Sequence, residues 1–135
     1  MTDIRIPTFA MIGFGEAGQA LAQGLRSEGV EKIAAWDLLF PQAQAGAALR
    51  EAARRLGVRE AANAADAVRG ADIVIAAVTA TSNLDAAAQA APELMPEQFY
   101  IDINSVSPGR KRQAAAIIGE RAQFVGMAVM APVHP

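Results

Sequence analysis

The feature that most constrains the fold of this chain is a glycine-rich run directly after a short apolar stretch. The run, Ile12-Gly13-Phe14-Gly15-Glu16-Ala17-Gly18, is followed by residues with the apolar spacing of an amphipathic helix. In a strand–turn–helix unit, Gly13 permits the tight turn, Gly15 lets the backbone approach a pyrophosphate, and Gly18 lets the helix pack close to its strand. The unpaired first-turn amides and the positive end of the helix dipole then face an anion. The run therefore predicts a dinucleotide site.

The rest of the chain alternates short apolar runs with longer alanine-rich helical patterns, an order typical of a parallel sheet with crossover helices. Strands are expected near residues 8–12, 32–37, 58–60, 73–78, 99–103 and 124–129. Helices are expected near residues 16–28, 43–56, 64–69 and 83–91, and a fifth from Ser107-Pro108 onward. The run from Ile73 to Val78 is the clearest buried strand, which places it centrally. The pattern predicts a Rossmann-type, doubly wound α/β domain with a mostly parallel sheet and helices on both faces.

Length and composition exclude several classes of function. The 135 residues suit one domain, with no internal boundary. There is no cysteine, and the single histidine, His134, lies one residue from the end, so no metal site, thiolate nucleophile or histidine-based triad is expected. A net charge of −2 gives no basic face for nucleic acid. No apolar run approaches the roughly 20 residues of a membrane span, and the N-terminus lacks a signal pattern, so we expect a cytoplasmic protein.

Asp37 is expected to set the cofactor preference. It ends the second predicted strand, 19 residues after Gly18, where an acidic residue receives the adenosine ribose hydroxyls. Its charge would repel the 2′-phosphate of NADP, and no arginine follows among Leu38, Leu39, Phe40 and Pro41. Asp37 could therefore favour NAD over NADP by about tenfold to a hundredfold. The alternative is an acidic residue that merely ends a strand.

Two further segments follow predicted strands at the carboxyl edge of the sheet, where open α/β folds bind ligands. Val78 and Thr79 are expected to contact the cofactor through their backbone, while Ser82 can also cap the next helix. The amide of Asn104 and the hydroxyl of Ser105 can orient a nicotinamide or a substrate hydroxyl. The alternative for the second segment is ordinary turn and N-cap chemistry ahead of Pro108.

The remaining distinctive side chains are given structural roles. Ala17, Leu21 and Leu25 are predicted to form the buried stripe of the first helix. The carboxylate of Glu16 suits the helix dipole but competes with a pyrophosphate for the same amides, so it is expected to point sideways to solvent or a ribose. Trp36 and the five methionines are expected to be buried or half-buried. Six basic residues are expected on wet helix faces: Arg50, Arg54, Arg55, Arg110, Lys111 and Arg112.

Three motifs in order resemble the β-hydroxyacid dehydrogenases, a family that includes 3-hydroxyisobutyrate dehydrogenase and the cofactor domain of 6-phosphogluconate dehydrogenase. The segment from Met11 to Ala22 resembles the glycine-rich start of that family, with Ala17 where a methionine is common. Asp102-Ile103-Asn104-Ser105 with Pro108 resembles its substrate-binding segment. Met130-Ala131-Pro132-Val133 resembles its Asp-Ala-Pro-Val segment, with Met130 in place of the acid. The match spans nearly the whole chain but only the first half of a family member.

The resemblance implies an NAD(P)-binding domain, residues 1–135, of an enzyme that transfers a hydride to or from a small β-hydroxyacid or related hydroxy compound. Its cofactor-binding residues would be Gly13, Phe14, Gly15, Glu16, Ala17, Gly18, Asp37, Val78 and Thr79, with Asn104 and Ser105 binding substrate. The family's catalytic lysine lies on a later helix, before an all-helical domain, and neither Lys32 nor Lys111 matches it. We therefore expect no catalytic residue here, little or no activity from this chain alone, and a homodimer for the intact protein.

Two other hypotheses remain open. The missing lysine is also compatible with a non-catalytic module in which NAD occupancy changes self-association or partner choice. Within the enzyme class, reductases of imine or pyrroline substrates share the glycine run.

Overall fold

The chain forms one six-stranded sheet in which every strand pair is parallel, in the order β3-β2-β1-β4-β5-β6. A computed structural model describes residues 5–79, 81–104 and 106–127. The strands are β1 (Phe9–Ile12), β2 (Ile33–Trp36), β3 (Arg59–Glu60), β4 (Ile73–Ala76), β5 (Phe99–Asp102) and β6 (Gln123–Gly126). The helices are α1 (Glu16–Ser27), α2 (Ala47–Leu56), α3 (Ala64–Val68), α4 (Asn83–Ala90) and α5 (Pro108–Ile118). The predicted Rossmann-like α/β fold is confirmed.

The order of the strands creates a switch point at the centre of the sheet. β1 pairs with β2 on one side and β4 on the other, so the chain runs outward in two directions from the same strand. The helices that follow β1 and β4 consequently lie on opposite faces of the sheet and leave a crevice between them. Ligands of doubly wound sheets bind in such a crevice, beyond the carboxyl ends of the strands.

Helices cover both faces of the sheet, and each face has its own core. On one face α1 and α2 pack over Met11, Ile33, Ala35 and Ile75. On the other face α3, α4 and α5 pack over Ala10, Ile12, Val74, Ala76 and Tyr100. Alternate strand residues therefore belong to opposite cores, and both sets are apolar, as expected for a parallel sheet buried on two sides.

Several expected boundaries are wrong by a few residues, and local hydrogen bonds explain the largest difference. Helix α2 begins at Ala47 rather than near residue 43. The guanidinium of Arg50 donates to the carbonyl oxygens of Phe40, Gln42 and Ala43, at 2.5, 2.8 and 3.0 Å, and holds this segment in turns. Arg50 is therefore a loop-stabilising residue and not part of a wet helix face. Strand β4 ends at Ala76, and residues 128–129 of the sixth expected strand lie outside the described residues.

Two predictions about buried side chains are also wrong. Ala17 is exposed, because α1 is rotated so that this residue borders a cleft. The side of α1 that faces the sheet consists of Gly18, Leu21, Ala22 and Leu25. Among the methionines, Met11 is fully buried, but Met95 is 54% exposed and Met127 is 47% exposed. Trp36 is half-buried, as expected.

Asp72 ties the segment before β1 to the start of β4, and its pKa is lowered by these contacts. The amide of Thr8 donates to its carboxylate at 2.8 Å, and the guanidinium of Arg5 donates at 2.7 Å. The Thr8 hydrogen bond is the larger cause of the lowered pKa, and the Arg5 contact adds to it. A carboxylate whose folded pKa lies below its unfolded value stabilises the fold above the unfolded pKa, and this contribution is lost as pH falls through the folded pKa.

We therefore expect the free energy of unfolding to fall as the pH drops below the unfolded value of 3.8. Asp66, whose pKa is lowered by the amide of Ala62 and by Arg59, contributes in the same direction. Denaturant titrations at several pH values should give a shallower acid slope for Asp72→Asn than for the parent chain. Glu120→Gln, an exposed site, should keep the parental slope, and an unchanged slope in Asp72→Asn would contradict the assignment.

Candidate functional site

The glycine turn joins β1 to α1 in the geometry that the sequence predicts. Gly13 has φ +98°, in the left-handed region that favours glycine, and its amide donates to the carbonyl oxygen of Trp36 at 2.8 Å. A Cβ at Gly13 would collide with the carbonyl oxygen of Ala77, and one at Gly18 would collide with the carbonyl oxygen of Gly13. These two glycines therefore let three backbone segments meet at the centre of the sheet.

Gly15 differs from Gly13 and Gly18, because the missing side chain leaves open space instead of allowing close packing. A Cβ built at Gly15 would meet nothing within 4 Å, although the residue borders the cleft described below. Gly15 is also the N-cap of α1, and no side chain accepts a hydrogen bond from the first turn. The first-turn amides therefore face open space at the positive end of the helix dipole. Such an arrangement can bind a pyrophosphate.

Asp37 follows β2 and connects the glycine turn to the loop before α2. One carboxylate oxygen accepts from the amide of Phe14 at 2.8 Å, and the other accepts from the amide of Leu39 at 2.9 Å. Each oxygen keeps a lone pair for a further donor, such as a ribose hydroxyl. Phe14 contributes to this contact through its backbone, since its side chain is fully buried and packs 6.0 Å from the ring of Phe40.

A cleft of about 560 Å³ lies at the carboxyl ends of β1, β2 and β4. It is bordered by seven of the predicted cofactor-binding residues, namely Gly13, Gly15, Glu16, Ala17, Asp37, Val78 and Thr79. Phe14 and Gly18 do not border it, because both are buried beneath the turn. The charged side chains of the lining are Glu16, Asp37 and Asp85, with no lysine or arginine among the described lining residues. Phosphates bound in this cleft would therefore depend on the backbone amides of the first turn of α1, since no basic side chain of the described lining meets them.

The segments after β4 and β5 meet through a hydrogen bond between Val78 and Asn104. The amide of Val78 donates to Asn104 Oδ1 at 2.6 Å, so this amide is unavailable to the strand ladder. Asn104 is 4% exposed, and its Nδ2 has no partner among the residues that the structure describes. The side chain is thus fixed with a free donor at the carboxyl edge of β5. Ser105 and the segment from Met130 to Val133 lie outside the described residues, and so does His134.

Of the two serines predicted to cap helices, Ser107 makes a cap hydrogen bond and Ser82 does not. Ser107 caps α5, since its hydroxyl accepts from the amide of Arg110 at 3.2 Å. Ser82 occupies the N-cap position of α4 but makes no cap hydrogen bond, because its hydroxyl accepts from the hydroxyl of Thr79 at 3.0 Å instead. The second contact stabilises the loop after β4, where Thr79 and Ser82 both border the cleft.

Besides Arg50, two further basic residues expected on wet faces are structural. The ammonium of Lys111 donates to the carbonyl oxygen of Asp102 at 2.7 Å, to its carboxylate at 3.2 Å, and to the carbonyl oxygen of Met127 at 3.0 Å. Arg110 donates to Asn83 Oδ1 at 2.9 Å and so connects α5 to α4. The helical period alone could not reveal these contacts, although an aspartate inside a predicted strand is a signal that a cation is needed nearby.

Asp102 is the centre of this buried polar group. Its side chain is 1% exposed, and besides Lys111 its carboxylate accepts from the amide of Asn104 at 2.8 Å. On the same strand, burial raises the pKa of the Tyr100 hydroxyl far above its usual range, and the charge of Asp102 adds to the effect. The contacts form a continuous path from Lys111 through Asp102 and Asn104 to Val78 at the cleft.

No group of three or more potential metal ligands occurs within residues 5–79, 81–104 and 106–127. Over the same ranges, none of the helices has both the length and the apolar character needed to cross a bilayer.

Solved structures with the same fold include close and distant relatives. A conserved hypothetical protein from Sinorhizobium meliloti is 41% identical, with a TM-score of 0.87 over 95% of this chain and 43% of its own. The conserved protein MTH1747, described as structurally similar to 3-hydroxyacid dehydrogenases, is 36% identical, with a TM-score of 0.72 over 87% and 41% of the two chains. The 3-hydroxyisobutyrate dehydrogenase of Mycobacterium tuberculosis, at 20% identity and a TM-score of 0.76, shares the fold over 90% and 39% of the two chains.

The chain thus spans less than half the length of each of these proteins. Its sheet, glycine turn and cleft are those of an NAD(P)-binding domain of an oxidoreductase. A family model described as "NADP oxidoreductase coenzyme F420-dependent" matches residues 8–105, and the chain belongs to that family.

Proposed function

We propose that this chain is the NAD-binding domain of an oxidoreductase that transfers a hydride to or from a small β-hydroxyacid or related hydroxy compound. The observation that carries the proposal is the open space at Gly15, bordered by the uncapped first turn of α1 and by Asp37. The first-turn amides would hold the pyrophosphate, and Asp37 would bind the adenosine ribose. The backbone of Val78 and Thr79 would contact the part of the cofactor that lies beyond the switch point. When bound, the nicotinamide would accept or donate the hydride.

The acidic lining of the cleft favours NAD over NADP. The 2′-phosphate of NADP would approach Asp37 with no arginine or lysine among the described lining residues to neutralise it. By contrast, the ribose hydroxyls of NAD can donate to the free lone pairs of the Asp37 carboxylate, and a hydrogen bond to a charged acceptor contributes about 1.5–3 kcal/mol.

We expect NADH to bind about tenfold to a hundredfold more tightly than NADPH. The chain has one tryptophan, Trp36, and it borders the cleft, so energy transfer to the reduced nicotinamide should quench its emission and report binding. In Asp37→Ser the ratio of the two dissociation constants should fall to about threefold or less. Tighter binding of NADPH by the parent chain would contradict the role of Asp37, and no binding of either at millimolar concentration would contradict the proposed function.

The substrate would lie beyond the nicotinamide, near Asn104 and Ser105. The free Nδ2 donor of Asn104 can bind a hydroxyl or carboxylate oxygen, which is the chemistry that a β-hydroxyacid offers. The described similarity of MTH1747 to 3-hydroxyacid dehydrogenases supports this substrate class. Ser105 is included on the basis of the sequence resemblance.

The general acid/base is proposed to come from outside this chain. No lysine or histidine is among the described residues that border the cleft, and the ammonium of Lys111 is already held by Asp102 and two carbonyl oxygens. Without an acid/base group the chain would bind cofactor but would not organise proton transfer. Incubation with NAD and a series of 3-hydroxyacids should produce no NADH, and turnover by this chain would overturn this assignment.

The absence of an acid/base group among the described residues of the cleft also favours a second candidate function. In this alternative the chain is a non-catalytic module whose self-association responds to NAD. Light scattering with and without NADH separates the two functions. A ligand-dependent change in mass would favour the module, while an unchanged mass together with activity of a longer gene product would favour the oxidoreductase.

A further inference from the structure

The part of the cleft beyond Asp37 has two kinds of border. Leu38, Leu39 and Leu49 supply an apolar border between β2 and α2. One face of α4 supplies the other, through Ser82, Asp85, Ala86 and Gln89, whose spacing places them on the same side of the helix. An apolar surface next to a line of polar groups suits a flat heteroaromatic ring with a polar edge.

Asp85 and Gln89 are the polar groups of this α4 face that are available to a ligand. Both are exposed, and neither side chain has a hydrogen-bond or ion-pair partner within the described ranges. Asp37 and Ser82, by comparison, border the same cleft but already accept hydrogen bonds. The opposite side of α4 is packed into the core through Asn83, Ala87 and Ala90, so the helix is held with its polar face toward the cleft.

The chemistry of the two free groups selects one kind of purine. An ionised carboxylate only accepts hydrogen bonds, whereas a carboxamide both accepts and donates. Adenine presents a donor, its exocyclic amino group, beside an accepting ring nitrogen. Hypoxanthine presents a carbonyl oxygen in place of that amino group, and this oxygen would meet the Asp85 carboxylate acceptor to acceptor.

On the basis of the dinucleotide function proposed above, we infer that Asp85 and Gln89 recognise the adenine edge of the cofactor. The Asp85 carboxylate accepts from the exocyclic amino group, and the Gln89 amide donates to the neighbouring ring nitrogen. The base packs against the leucine border, next to the ribose at Asp37. Asp85 is thus the specificity determinant for the adenine base, and Gln89 holds the base in place beside it.

The test compares NADH with reduced nicotinamide hypoxanthine dinucleotide, which differs only at the base edge. Quenching of Trp36 reports both ligands, because the nicotinamide is the same. We expect the parent chain to bind NADH about tenfold to a hundredfold more tightly. In Asp85→Asn the ratio should fall to within about threefold of unity, since a carboxamide can donate to the carbonyl of hypoxanthine as well as accept from adenine. Gln89→Ala should weaken both ligands by a similar factor, since its carboxamide can donate to a ring nitrogen of adenine or accept from the ring N–H of hypoxanthine.

Two acidic positions serve as matched controls. Glu97→Gln removes an exposed charge outside the cleft and should leave both dissociation constants unchanged. Glu16→Gln removes a charge inside the cleft and should tighten both ligands by the same factor, so the ratio stays the same. Equal binding of both ligands by the parent chain, or a ratio unchanged in Asp85→Asn, would overturn the inference and leave the dinucleotide function standing. Failure of the parent chain to bind either ligand at millimolar concentration would overturn both.

Discussion

Gly15→Ala is expected to remove most NADH binding while leaving the stability of the fold nearly unchanged. The backbone of Gly15 has φ −73°, which alanine adopts without strain, and its new methyl group would meet no atom of the chain within 4 Å. A glycine-to-alanine change lowers the entropy of the unfolded chain and by itself stabilises a protein by about 0.4–1 kcal/mol. Gly15 is the N-cap of α1, where glycine is preferred over alanine, so this gain is offset and the net change in stability should be small. The same methyl group would stand where the pyrophosphate must approach the first-turn amides. Hydrogen bonds to a charged ligand contribute about 1.5–3 kcal/mol, so the affinity should fall by at least about tenfold.

Two other glycines of the same segment make this experiment specific. Gly24 lies in the exposed middle of α1 with nothing within 4 Å of its Cβ position, so Gly24→Ala should be stabilising and should bind NADH like the parent chain. Gly18→Ala should instead lower the melting temperature, because its methyl group would collide with the carbonyl oxygen of Gly13. Quenching of Trp36 gives the affinities, and thermal unfolding gives the stabilities. Parental affinity in Gly15→Ala would contradict a pyrophosphate site at this turn.

The parts of the fold and site that sequence reasoning predicts are those encoded by neighbours along the chain. The glycine turn follows from three residues within one strand–turn–helix unit, and Asp37 follows from its distance to that unit. The six strands and their parallel direction follow from apolar runs that alternate with helical segments, because crossover connections join parallel strands. These features depend on local backbone geometry, which is why their positions are predicted to within a few residues.

The features that sequence reasoning misses depend on contacts between distant segments. Arg50 and Lys111 have the spacing of solvated helix residues, yet each reaches beyond its helix to hold backbone carbonyls of another segment. The sequence does not reveal the cleft face of α4, because the side of a helix that borders a cleft is set by how the helix packs. For the same reason, periodicity places Ala17 in the core, although the residue borders the cleft. Periodicity identifies a face of a helix but does not say what that face meets.

Lys111 provides the largest expected effect on stability. Its ammonium is the cation beside the buried carboxylate of Asp102, and their side chains are 18% and 1% exposed. Lys111→Met would keep the apolar stem but leave that carboxylate buried without a cation, with the Asn104 amide as its remaining described partner. Removing one member of a buried ion pair costs about 3–5 kcal/mol, a large share of the roughly 5–15 kcal/mol that stabilises a typical domain. Denaturant unfolding should therefore show a loss of that size.

The chain contains a natural control and a way to separate charge from packing. Lys32→Met changes an exposed lysine and should alter the free energy of unfolding by no more than about 0.5 kcal/mol. Adding Asp102→Asn to Lys111→Met removes the uncompensated charge and keeps an acceptor for the Asn104 amide, so the double variant should regain most of the lost stability. If the double variant were as unstable as the sum of the two single changes, the loss would come from packing around the lysine stem.

Lys111→Met should also weaken NADH binding. Asp102 positions Asn104, and Asn104 in turn accepts a hydrogen bond from the Val78 amide at the cleft. The double variant should restore that binding together with the stability.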